Sequence, residues 1–441
     1  MNREQVRITR KLEKNPGEEC NKILKRFYPA LLGKFQKVAD TRHKSYITYS
    51  SKEMLGTLFY KGIAGISSMQ QMTREFNDEN VSRNLYHFLD AEQKEFLPHG
   101  VTLNEFLEKL NPEELEEIQK DIAYQMIRRK TFDDAKSEGR WLVLVDGTEL
   151  DEGYQKKNAY YLSRTYHRGE ENEFVKYHRS MLEAKLYLGN NLVCSIASEA
   201  IENSKEYCRK QMSEEKIKQD CESKAFKRLA EKLKKKFPRL PICIVADGLY
   251  VSTPVLNVCE GNEWDYLIRY REGCAPLIEE DYQRIPEKNQ VENAEYINGV
   301  QFVDREVNAI KYKETKQKGK EKVTTTFGWI TSIKITNKNA LKLVRAGRNR
   351  WKIENQGFNR QKRWQGDIEH ACSFHETAQK NHYLMEQISD FIKQLYEYFF
   401  LKKNEIKKTQ KNISSELLAS FGRQLTGEDI SSGDMQSISA T

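Results

Sequence analysis

Three acids stand where chemistry is possible. Asp146 ends the apolar run of WLVLVDGTEL, Asp247 ends that of PICIVADG, and Glu354 lies within NALKLVRAGRNRWKIENQGFNRQKR. Carboxylates gathered in one place repel, and each raises the pKa of the next. Divalent cations between them reverse that balance. Hard oxygen ligands select Mg²⁺ or Mn²⁺, and two such ions about 4 Å apart activate a water and stabilise a departing 3′ oxygen. That is the chemistry of phosphodiester hydrolysis and transesterification. Each acid also has a plain reading, Asp-Gly as a turn and a helical Glu as a solvated residue. The ordered set of strand-Asp, hairpin, helix, strand-Asp, insertion and helix-Glu is far more specific than any one of them.

Glu354 is embedded in cations: Lys342, Arg345, Arg348, Arg350, Lys352, Arg360, Lys362 and Arg363 surround it. One carboxylate inside a cationic patch suits a site that grips phosphates and acts on them, the alternative being a solvated basic helix face. Trp351 and Phe358 read first as the helix's apolar stripe and second as bases' stacking partners. Glu369-His370 suits a helix start or a supporting acid and base. Tyr160, Tyr161 and Tyr166, near His167 and Arg168, form an aromatic-and-basic loop of a kind that lines DNA channels, without specificity.

The elements that must position these residues follow from hydrophobic period. Residues 18–135 are helical in pattern, with apolar positions at three and four. The short helices around Ser67–Asp90, broken at Asn77–Asn80, have the outline of a helix-turn-helix. At Arg140 the texture changes to α/β. WLVLVDGTEL reads as a strand buried on both faces, YHRSMLEAKLYLGNN and LVCSIASEAI as a hairpin, CESKAFKRLAEKLKKKF as a helix stopped by Pro238, and PICIVADG as a second buried strand. Residues 273–328 read as a β-rich insertion, after which the Glu354 helix and NHYLMEQISDFIKQLYEYFF close the domain. The expected organisation is an α-helical DNA-binding domain over 1–135, a catalytic domain over 136–403, and a polar, flexible tail over 404–441.

Composition sets limits. The chain has 441 residues, net charge +8, 38% hydrophobic and 31% charged residues, which predicts two or three domains with a densely solvated surface. No apolar run approaches the ~20 residues of a membrane span, and the first residues lack a signal-peptide pattern. The eight cysteines form no Cys-x-x-Cys pair and read as reduced core thiols of a cytoplasmic protein. His370-x-Cys372-x-x-His375 lacks a nearby fourth zinc ligand.

From about Arg140 to Phe400 the sequence resembles the DDE transposases of bacterial insertion sequences. It is most similar to the group with a β-rich insertion before the last Glu and a Tyr-x2-Arg-x3-Glu-x6-Lys signature. VDGTEL around Asp146, VADGLY around Asp247 and RNRWKIENQGFNRQKR around Glu354 carry the likeness, with QDCESKAFKRLAEKLKKKFPRLPICIVADGLYVSTPV. The resemblance implies a ribonuclease-H-like fold and two catalytic Mg²⁺ ions, Mn²⁺ substituting, held by Asp146, Asp247 and Glu354. It also implies nicking at the ends of a mobile element and joining of the freed 3′ hydroxyl to target DNA. Its partners would be terminal inverted repeats, target DNA and, through pairing of two ends, a second copy in a homodimer, in the cytoplasm at the nucleoid. Arg350 matches the signature Arg as a DNA-end contact. The signature Tyr falls on Gly347 and the Lys on Gln361, with Lys362 and Arg363 next in line and Arg348 nearby as phosphate-binding cations. Two alternatives share these residues: an inactive or domesticated DNA-binding descendant, and a nuclease without strand transfer.

Overall fold

A computed structural model describes residues 14–203, 219–270, 275–285, 287–319 and 321–425. Its strands are β1 (Trp141–Gly153), β2 (Leu162–Tyr166), β3 (Phe174–Tyr187), β4 (Val193–Ile201), β5 (Ile242–Ala246), β6 (Asp265–Tyr270), β7 (Asn289–Val291), β8 (Ala294–Phe302), β9 (Arg305–Lys318) and β10 (Glu321–Thr331). Two compact units divide the chain. One takes Met1–Arg128, Glu149–Arg179 and Phe358–Thr441, the other Arg129–Thr148 and Ser180–Gly357.

The second unit is a mixed sheet with helices. Its strands run in the order β4-β3-β1-β5-β6-β10-β9-β8-β7. β1 and β5 pair in parallel, as do β5 and β6, and the residues of β1 from Trp141 to Val145 and all of β5 are buried. Parallel strands covered on both faces need unbroken apolar runs, which is why WLVLV and ICIVA lack alternation. β3 and β4 form the expected antiparallel hairpin. Helix Glu222–Lys236 connects β4 to β5, and helix Thr253–Gly261 makes the crossover that parallel neighbours β5 and β6 require.

The segment expected to be β-rich over 273–328 instead opens with a helix, Pro276–Arg284; its strands begin at Asn289 and run on to Thr331, and β10 pairs antiparallel with β6. The insertion therefore lengthens the main sheet, because Phe327–Thr331 is buried and completes the edge of β6. Helix Ala340–Arg348 follows and packs on β6 and β8.

The first unit is helical apart from the end of β1, from Glu149 on, and β2 paired with the start of β3. Helix Glu376–Tyr396 runs through it almost wholly buried and packs against Ser51–Ile63, Gly100–Lys109, Pro16–Phe27 and Pro112–Ile127. The change from helical to strand texture near residue 135 thus marks a change of element, while the N-terminal helices share a core with later chain. Local signals set their ends: Ser50 and Glu53 form a capping box, and Asn111 caps a helix with Pro112 at its first position. The helices Met69–Phe76 and Glu79–Phe88 are present, capped by Ser68 and Asp78.

The segment from 404 differs from its expectation. Helix Gln410–Phe421 buries Ile413, Leu417 and Phe421, which recur every fourth residue on one face. Their sparse spacing among polar residues hid that stripe; residues 426–441 lie outside the described residues. Among the described residues no helix is long and apolar enough to cross a membrane. Cys20, Cys194, Cys221, Cys243, Cys259 and Cys372 are free thiols, while Cys208 and Cys274 lie outside the described residues.

Candidate active site

The register of β1 against β5 does the first part of the assembly. Leu142 faces Cys243 and Leu144 faces Val245, so carrying that register two residues on sets Asp146 level with Asp247. β1 outlasts this pairing and continues to Gly153, whereas β5 ends at Ala246. Asp247 then caps a short turn, its Oδ1 accepting the Leu249 N–H at 2.9 Å. Ends of adjacent parallel strands are where α/β folds place their sites.

Glu354 arrives by a helix that is not continuous. Helix Ala340–Arg348 stops at Asn349, and Glu354 is the second residue of a π-helical segment, Ile353–Phe358. Such wide turns recur at functional sites. Arg350 joins the two parts. Its Nη1 donates to Asp146 Oδ2 at 3.0 Å and its Nη2 to Glu354 Oε1 at 2.7 Å. The guanidinium is buried, and its Nε has no partner. Expected from sequence to meet DNA, Arg350 here neutralises two carboxylates.

A fourth acid belongs to this group. Glu222, the first residue of its helix, accepts a hydrogen bond from the buried Tyr250 hydroxyl at 3.0 Å. Its Oε1 lies 2.5 Å from where a Cβ on Gly147 would stand. A side chain at Gly147 would push this carboxylate aside, so glycine leaves Glu222 free to lie next to Asp146. A Glu in a helix's first turn has an ordinary dipole role, so sequence reasoning passed over it. The paired signal was Asp-Gly beside a strand followed by an acid at the next helix start.

These charges act on one another. Burial pushes the Asp146 carboxyl up to about 7, Arg350 opposes the shift, and Asp247, Glu354 and Glu222 add to it. Glu222 is also raised, chiefly by burial, against the Tyr250 hydrogen bond. Among the described residues no three His, Cys, Asp or Glu side chains are already arranged around a metal position. The donors nevertheless fit a hard divalent cation: they are carboxylate oxygens whose mutual repulsion such an ion would relieve.

The other expected cations are placed differently. Arg348 donates to Glu314 at 3.2 Å and lies over the Phe327 ring at 4.1 Å, so the β-rich insertion holds it. Lys362 and Arg363 belong to the other unit, where Lys362 pairs with Glu369. Gln361, at the signature Lys position, is fully buried and donates to Gln387 and Asp390. Beside it Arg360 is buried in ion pairs with Asp390 and Glu397. Trp351 is 43% exposed, against the packing first expected of it, while Phe358 is buried.

Gly347, at the signature Tyr position, has no room for a side chain. A Cβ there would lie 2.4 Å from Nε1 of the buried Trp329. Trp329 from β10 fills that space. Gly347→Ala should cost about 1–3 kcal/mol by overpacking, read from urea unfolding. Coupling to Trp329→Ala would make the double variant lose less than the sum of the two. Simple additivity would refute the steric account.

Residues 219–384 match the family described as Transposase DDE domain. That stretch, less than half of the chain, is similar to a transposase DDE domain. The match bears out the superfamily resemblance read from the sequence and includes Asp247, Arg350 and Glu354. Asp146 lies upstream of the matched residues and joins the group through β1. A domain of this kind implies a ribonuclease-H-like fold, which the mixed sheet suits, and transposase function in general terms, with DNA as the partner class and divalent metal as the usual cofactor. No curated protein matches the chain.

Proposed function

We propose that the protein is a DNA transposase of bacterial insertion-sequence type, which nicks element ends and joins the freed 3′ hydroxyl to target DNA. The observation that carries this reading is Asp146 level with Asp247 at neighbouring strand ends, with Glu354 tied to Asp146 through Arg350. Asp146 and Asp247 would hold one divalent ion and share a second with Glu354. Such ions, Mg²⁺ or Mn²⁺, supply an activated water and charge neutralisation at the departing oxygen.

The chain's own residues do the remaining work. Arg350 orients the Asp146 and Glu354 carboxylates and limits their repulsion. The Leu249 N–H fixes the Asp247 carboxylate, and Tyr250 fixes that of Glu222. Lys362 and Arg363 neutralise phosphates, and the N-terminal helices, the pair at Met69–Phe88 included, grip the terminal repeat. Pairing of two ends would be made by a homodimer, at the nucleoid. Transesterification by a 3′ hydroxyl exchanges one phosphodiester for another, so it needs no ATP.

An inert descendant that only binds DNA predicts little effect of divalent ions on stability. The proposed site predicts a rise in unfolding free energy of about 2.7 kcal/mol at a hundredfold excess of Mg²⁺ or Mn²⁺ over its Kd. Calorimetric melting with and without EDTA measures it, and an unchanged melting temperature in both ions would sink the metal-site reading. A nuclease is separated from a transposase by the joining product alone, the 3′ end covalently linked to target DNA.

A further inference from the structure

The β9–β10 hairpin outgrows the sheet that roots it. Its base is packed, with Val307, Ala309, Ile310 and Phe327–Thr331 buried. From Lys313 and Thr326 outward the register continues pair by pair to Lys318 opposite Glu321. Glu321–Thr326 are exposed on both faces of the ribbon, as are Lys313, Thr315, Lys316 and Gln317. Six residue pairs at ~3.3 Å each make an arm roughly 20 Å long. A two-stranded ribbon without an apolar face gains little from folding alone.

The two faces of the arm differ in charge. Opposed residues share a face, so Lys313, Thr315, Gln317, Lys322, Thr324 and Thr326 lie together. That face holds no acid. Its polar groups are two ammonium groups, three hydroxyls, of which Thr315 and Thr324 bond each other at 2.9 Å, and one amide. The other face is mixed: Lys316 pairs with Glu314 at 3.0 Å, and Val323 and Glu321 lie alongside. Lysines on protruding strands also discourage aggregation, but that purpose would not segregate the acids to one side.

We infer that this arm is a DNA-binding ribbon which lays its Lys313–Thr315–Gln317–Lys322 face against the backbone of duplex DNA. Strands ~4.8 Å apart fit a major groove ~12 Å wide, which admits a two-stranded β-ribbon. Ammonium and hydroxyl groups at this spacing contact phosphates without reading sequence. The inference rests on the proposed reading that DNA is the substrate, and adds a grip separate from the carboxylate site.

The test measures binding of the full chain to a random-sequence 30-bp duplex in EDTA as salt is varied. Lys313→Gln/Lys322→Gln should bind roughly ten- to fiftyfold more weakly near 0.1 M salt, and its log K against log salt slope should be shallower by about 2. Lys316→Gln, on the opposite face, should leave the slope unchanged. Unaltered melting temperatures confirm that the variants fold. An unchanged slope in the double variant overturns the inference, as does an equal effect of Lys316→Gln or a loss confined to single-stranded DNA or RNA. Metal-dependent nicking by the wild type is scored separately, so failure of the chemistry and failure of the arm are distinguishable.

Discussion

Asp247→Asn should reduce metal-dependent nicking by roughly a thousandfold or more, since loss of a metal ligand removes several kcal/mol of charge stabilisation. Duplex binding in EDTA should stay within about twofold, because the group lost does not face phosphate in the absence of metal. Asn keeps the shape of Asp and an Oδ1 able to accept the Leu249 N–H, so the turn after β5 survives. What disappears is a negative charge that now helps to raise the Asp146 carboxyl. The variant should therefore be as stable as the wild type in EDTA, or more so by about 0.5–1 kcal/mol, a trade of stability against activity common at such sites. In Mg²⁺ that order should reverse. Nicking within tenfold of the wild type would refute the triad.

The second large effect concerns Arg350. Arg350→Gln should destabilise the fold by about 3–5 kcal/mol near pH 8, because it leaves partly buried carboxylates without their counter-charge. Arg350 is the charge that holds the Asp146 carboxyl down against burial and against Asp247, Glu354 and Glu222. Without it the folded-state carboxyl rises beyond about 7, far above its unfolded value near ~4. A group raised in the folded state favours folding when protonated, so its penalty is absent below the unfolded value and grows as pH rises through the folded one. The deficit of the variant should thus shrink by pH 5 and be largest at pH 8. Urea midpoints at the two pH values measure this. A pH-independent deficit would assign Arg350 a packing role.

Much of the candidate site was legible because its signals are local. Apolar runs ending in Asp mark doubly buried strands, and 101 residues separate the two acids in the register as in the sequence. The β3–β4 hairpin was legible for the same reason, since turn chemistry acts over a few residues. Glu222 was not legible as a site residue: its position suits a helix start, and only the approach of that helix to Gly147 brings it beside Asp146. Nor did the signature departures explain themselves. Gly347 depends on Trp329 arriving from another strand, and Gln361 on a buried network with Asp390 and Gln387.

By itself, then, the sequence determined the three acids, the strands and helix that bear them, and the β-rich insertion between the second acid and the third. Period and residue type report whether a side chain faces core or water, and that suffices for elements. The tertiary structure alone decided the company these acids keep. It set Arg350 between Asp146 and Glu354, brought Glu222 over Gly147, interleaved the helical unit from three separate stretches of chain, and sent one face of the β9–β10 arm outward free of acids. Each of these depends on residues far apart in sequence meeting at a few ångströms, where burial and charge act on pairs that no local pattern encodes.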